Sequence, residues 1–114
     1  MEPISPERFE QLVGEALDGI PDELSERFDN VAVVVEDEHP DDPDLLGLYE
    51  GTPLTERWHY AGALPDRISI YRIPLCRICT DEAELVEEVR ITVLHELAHH
   101  VGIDEDALHD LGWG

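Results

Sequence analysis

The stretch VLHELAHHVG, residues 93–102, holds the side chains best suited to chemistry. His95 and His99 stand four residues apart, so on an α-helix they lie one turn above each other and can share one metal ion. Two positions of a tetrahedral zinc are then filled. Glu96 is turned by about 100° from His95, off the ligand pair yet beside it, where a carboxylate can take a proton from a metal-activated water. A structural metal site has no need of that carboxylate, so the pattern points to hydrolysis. A chance His-Glu-x-x-His on a surface helix is the bland alternative.

The residues that follow sharpen the pattern. Gly102 comes three residues after His99 and Glu105 ten after His95, the spacing at which metzincin-type zinc proteases place a turn glycine and a third ligand. Zinc accepts a carboxylate at that position in place of their histidine. Asp104, Asp106, His100 and His109 stand close enough to compete with Glu105, although Asp104 also suits the N-cap of a last helix. Nickel, cobalt or manganese could use the same donors.

The motif needs a helix, and the sequence supplies one from about Asp81 to Val101. Thr80 or Asp81 can cap it, its first turn is acidic as the helix dipole prefers, and Gly102 suits its end. On this helix Glu88 and Thr92 fall near the two histidines, while Val86, Val89, Val93 and Leu97 form an apolar flank.

Upstream, Ser5 and Pro6 open an amphipathic helix carrying Phe9, Leu12, Val13, Ala16 and Leu17 up to Gly19. A shorter helix can begin at Pro21. The β-branched run Val31 to Val35 reads as a buried strand followed by an exposed acidic loop from Glu36 to Asp44. A short strand is expected at Leu45 to Tyr49 inside a turn-rich excursion. Arg67 to Ile73 alternates as a half-exposed strand does, with Ile68 and Ile70 on one face and Ser69, Tyr71 and Ile73 on the other, until Pro74 ends it and suggests a sheet edge. The expected architecture is α+β, with a small mixed sheet against N-terminal helices and a long motif helix. At 114 residues the chain is expected to form one domain spanning residues 1–114.

The segments LLGLYEGTPLTER, LPDRISIYRIPL and TVLHELAHHVGIDEDALHDLGWG closely resemble the small bacterial zincin-like metallopeptidases, sometimes called minimal zincins. The likeness covers most of residues 31–114 and is strongest over 91–114. It implies a compact fold with the motif helix against a small sheet, zinc at His95, His99 and Glu105, and Glu96 as general base. Members look like the catalytic half of a protease cut free of its second half. Two departures from fuller zincins stand out: Met1 is the only methionine in the sequence, so no Met-turn is expected beneath the metal, and no helix after Trp113 is expected to supply a distant glutamate ligand.

An enzyme of this kind hydrolyses a peptide or protein substrate. Strand addition at the edge near Ile68 to Ile73 could hold an extended peptide. Tyr71, Tyr60 and His59 are oxyanion donors by residue type, though each also suits a packing or surface role. A cleft lacking a second subdomain is open and wet, so low or narrow activity is expected unless a partner protein completes it. Trp113 is placed to pack over the motif helix and steady Glu105.

The bulk numbers exclude other classes. With 28 Asp and Glu against 7 Lys and Arg the formal net charge is −21, which repels nucleic acid and anionic membrane surfaces. No apolar run reaches the ~18 residues of a membrane span and the first ten residues do not read as a signal peptide, so a cytoplasmic location is expected. Reduced surroundings make Cys76 and Cys79 free thiols.

Rival readings fit less well. Cys76 and Cys79 before the long helix raise a redox reading, since a helix N-terminus lowers thiol pKa, but the 35 residues after them are too few for a thioredoxin-like domain. A deformylase-like site would have to recruit one of these cysteines from about four turns up the same helix. A metal-dependent ribonuclease shares the ligand spacing but not Glu96 and Glu105. A non-catalytic, degenerate zincin serving as an interaction module is the remaining alternative.

Overall fold

The computed structural model describes residues 1–22, 31–51 and 66–101, the last three of these as backbone only. Among the described residues, three helices and three strands follow in the order α1 (Pro6–Asp18), β1 (Val31–Glu36), β2 (Gly47–Glu50), β3 (Asp66–Tyr71), α2 (Arg72–Ile78) and α3 (Glu82–Val101).

Local sequence explains the helix starts. The Ser5 hydroxyl accepts the Arg8 N–H at 3.1 Å, with Pro6 in the first turn where its missing N–H costs nothing. Of the two candidate caps for α3, Asp81 takes the role, accepting the Glu84 N–H at 2.8 Å, and Glu82 and Glu84 lie at the positive end of the dipole.

The sheet has the order β1-β3-β2, with β1 parallel and β2 antiparallel to β3. Ile68 and Ile70 point to one face and pack with Phe9, Leu12, Leu85, Val89, Val93 and Leu94 in a continuous core between sheet, α1 and α3. The apolar flank expected on the motif helix is the flank it buries. Val31 to Val35 forms a strand as the β-branched run predicts, but among the described residues it lies at a sheet edge, and it is half-buried.

Two expectations around β3 are corrected. Pairing on both sides makes β3 the central strand, and Ile68, Ser69, Ile70 and Tyr71 are all buried, so it is neither a sheet edge nor half-exposed. The strand also stops at Tyr71: Arg72–Ile78 is a helix, and Pro74, read as a strand terminator, sits in its first turn. The shorter helix expected from Pro21 and the excursion after Gly51 fall largely on residues outside those described.

Cys76 and Cys79 are free thiols, as expected, and both are buried around the end of α2. Burial, with Glu84 and Glu88 nearby, pushes the Cys79 thiol up to about 11, opposite to the depression a redox role needs. Alkylation of Cys79 at pH 8 is therefore expected to run about a hundredfold slower in the folded chain than for an ordinary thiol, because the thiolate fraction drops tenfold per pKa unit. Mass-resolved labelling with iodoacetamide checks this, and a rate equal to that of the unfolded chain would contradict it. The raised folded value also sets a sign: the stability linked to this thiol is intact below its ordinary 9.0 and is lost as pH climbs toward about 11.

Candidate metal centre and cleft

Helix α3 runs unbroken through residues 95–99, so His95 and His99 lie on one continuous helix one turn apart. His95 and Glu96 are half-buried and line an open cleft of about 360 Å³. Thr92, one turn before them and 8% exposed, lines it too, as the helical rotation predicts. Glu88, expected near the histidines by the same rotation, is not among the lining residues; its charge also acts on Cys79.

The opposite wall is formed by Asp42, Asp44, Leu45, Leu46 and Gly47, the segment that leads into β2. None of these was singled out for the site by sequence reasoning, because Asp42 and Asp44 read as an exposed acidic loop and Leu45 to Gly47 as the start of a short strand. That loop is tied down by α2. Arg72 donates to Asp37 at 2.9 Å and to the Ile4 carbonyl at 2.7 Å, and Arg77 reaches Asp44 at 3.0 Å. The Ile73 N–H meets the Asp37 carbonyl and the Tyr71 N–H meets the Leu46 carbonyl, each at 3.0 Å. Within the loop, Asp42 accepts the Asp44 N–H at 3.1 Å, an Asx turn that fixes its carboxylate.

Gly47 allows the two walls to meet. A Cβ there would stand 2.6 Å from the Thr92 methyl and 3.2 Å from the Ser69 carbonyl oxygen. Strand β2 can therefore lie against the motif helix only because this position has no side chain. Gly47→Ala is expected to force β2 away from α3, destabilising the chain by about 1–3 kcal/mol through overpacking. Urea unfolding measures this, and an unchanged midpoint would show that the contact relaxes freely.

The expected third ligand, Glu105, and its rivals Asp104, Asp106 and His109 lie outside the described residues, as do Tyr60, His59 and Trp113. Among the described residues no three metal-ligating side chains converge. The donor set still fits zinc by its chemistry, with two histidines one turn apart in position on one helix and a glutamate next in sequence to the first. Tyr71, an oxyanion candidate by type, is 1% exposed and does not line the cleft. It is a packing residue, edge-on to His39 with ring centres 5.9 Å apart, and burial raises its phenol above the ordinary range.

A His-Glu-x-x-His helix laid against a small mixed sheet, with an edge strand across the cleft from the motif, is the frame of a zincin-like α+β fold. The chain belongs to the zincin-like metallopeptidase family, whose model matches residues 28–113. Among solved structures it is similar to a conserved hypothetical protein from Thermo thermophilus, at a TM-score of 0.58 and 23% identity over 86% of this chain and 94% of that one. That likeness concerns the fold. No curated protein matches the chain significantly. No described helix is long and apolar enough to cross a membrane.

Proposed function

We propose that the chain is a zinc-dependent peptidase of low or narrow activity, with zinc held by His95, His99 and Glu105 and with Glu96 as the general base. The observation that carries this reading is the cleft, which has the motif residues His95 and Glu96 on one wall and the segment entering an edge strand on the other. Zinc with three protein ligands supplies Lewis acidity toward a carbonyl and acidifies water to a pKa of about 7.

The chain's own residues do the rest. Glu96 takes a proton as the water oxygen attacks the carbonyl carbon, then delivers it to the nitrogen as the C–N bond breaks. Substrate is positioned by backbone pairing. Among the described residues β3 is occupied on both sides and β1 and β2 are the edges; β2 is the one whose start lines the cleft, so an extended peptide can align along Gly47–Glu50 beside the motif. The Gly47–Thr92 approach sets how far that strand stands from Glu96.

Incubating the zinc-loaded chain with a mixed peptide library, followed by mass spectrometry, tests the proposal. Cleavage that stops with a chelator and returns with zinc is expected. A zinc-loaded chain that cleaves nothing would favour the degenerate zincin serving as an interaction module.

A further inference from the structure

We propose that Cys76 and Cys79 form a redox-sensitive clamp: they close reversibly to an intramolecular disulfide in the folded chain, and so stiffen the turn that holds the cleft wall through Arg77. The proposal needs only the position of that wall and stands whether or not the cleft cleaves peptides.

The four residues Cys-Arg-Ile-Cys turn their ends inward and their middle outward. Cys76 and Cys79 are fully buried in one apolar cluster, whereas Ile78 is 50% exposed and the Arg77 side chain 53%. Side chains three positions apart and buried on the same side of a helix end are neighbours. The Cys79 N–H donates to the Cys76 carbonyl at 3.3 Å, and a bond of that span holds the two Cα atoms within about 7 Å, inside the reach of a disulfide. The charge of the Cys76 thiolate also acts on Cys79, as it does only between nearby sulfurs.

The turn is held from outside as well. The Met1 nitrogen donates to the Cys79 carbonyl at 2.6 Å and to that of Cys76 at 3.1 Å, and the Ile4 carbonyl accepts from Arg72 at 2.7 Å, so the N-terminal segment is tied to both ends of α2. The sulfurs are thus arranged before they react, and closing the ring has little entropy left to cost. The raised Cys79 thiol bears on the rate of exchange, which needs a thiolate, and not on the equilibrium, which follows from how the fold accommodates the product. It excludes a fast redox catalyst and leaves a slow switch.

Closure takes a small organic disulfide as oxidant. One protein sulfur displaces half of it, and the second protein sulfur then displaces the other half from the mixed disulfide. One S–S bond breaks and one forms, two electrons pass to the reagent, and the two thiol protons leave with the two small thiols released. The consequence reaches the cleft because Arg77, between the two cysteines, meets the cleft-lining Asp44 at 3.0 Å. A bridged turn lets go of that wall less often.

The test equilibrates the full chain in mixtures of reduced and oxidised glutathione and reads the intact mass. Loss of two hydrogens with no attached glutathione is expected, restored by dithiothreitol, at a proportion of oxidised glutathione at least about tenfold lower than for the same chain in urea. Cys76→Ser is expected to abolish that loss. In the oxidised chain the Asp44 and Leu45 amides are expected to exchange hydrogen about two- to threefold more slowly, the worth of one partly exposed ion pair, and Arg77→Ala is expected to remove the difference. A glutathione adduct in place of the internal bond, a midpoint no lower than in urea, or oxidation that unfolds the chain would overturn the proposal. So would amide exchange that is the same in both states, or a difference that survives Arg77→Ala.

Discussion

Glu96→Gln is expected to lower peptide hydrolysis by about 10²–10⁴-fold, the range for removing a positioned general base. The substitution keeps the size and hydrogen-bonding reach of the side chain but takes away its ability to accept the proton. Glu96 is half-buried on the cleft wall, next in sequence to a proposed ligand but not itself one, so zinc content should not change. Loss of rate at constant metal occupancy is therefore the signature. A variant that retains a tenth or more of the rate would show that water reaches the carbonyl without this carboxylate. If zinc content fell as well, Glu96 would be a ligand and the base would have to be sought elsewhere.

The second large effect lies far from the cleft. Phe9 on α1 is fully buried in the cluster that also contains Leu85, Val89 and Val93 of α3, and α1 packs chiefly on α3. Phe9→Ala is expected to destabilise the chain by about 3–5 kcal/mol, combining lost transfer free energy with the cavity left behind. At this chain length a kcal/mol shifts Tm by roughly 3–6 °C, so a fall of at least about 10 °C is expected in a thermal scan. A shift below about 1 kcal/mol would mean that α1 is dispensable and that the motif helix is held by the sheet alone.

What could be read from the sequence was what depends on near neighbours. Ser5 with Pro6, the 3.6-residue spacing of Phe9, Leu12, Val13 and Ala16, the acidic first turn of α3 and the β-branched run of β1 all act within one element, and all appear where expected. The His-Glu-x-x-His placement was legible for the same reason. Thr92 was too, since helix rotation alone puts it beside His95 and Glu96.

The misread features depend on partners distant in sequence. Nothing local in Arg67 to Tyr71 says that strands will pair on both sides of it; the central position follows from β1 and β2 arriving from elsewhere. Pro74 is compatible with the end of a strand or the first turn of a helix, and the apolar residues around it fit both. The acidic loop is exposed as expected, but nothing local says that Arg72–Asp37 and Arg77–Asp44, 35 and 33 residues apart, hold its end as a cleft wall. Gly47 showed no turn signature because what it needs is empty space against Thr92, which exists only once β2 and α3 have met. Cys79 followed the same rule: its place before an acidic helix suggested a lowered pKa, but burial dominates and reverses the sign.

Metal content tests the central claim most directly, measured by mass spectrometry on protein purified without a histidine tag beside its His95→Ala and Glu105→Ala variants. The account predicts stoichiometric zinc, lost in His95→Ala and weakened in Glu105→Ala. A chain that takes up no metal at any accessible zinc concentration, or whose zinc survives His95→Ala, would contradict it.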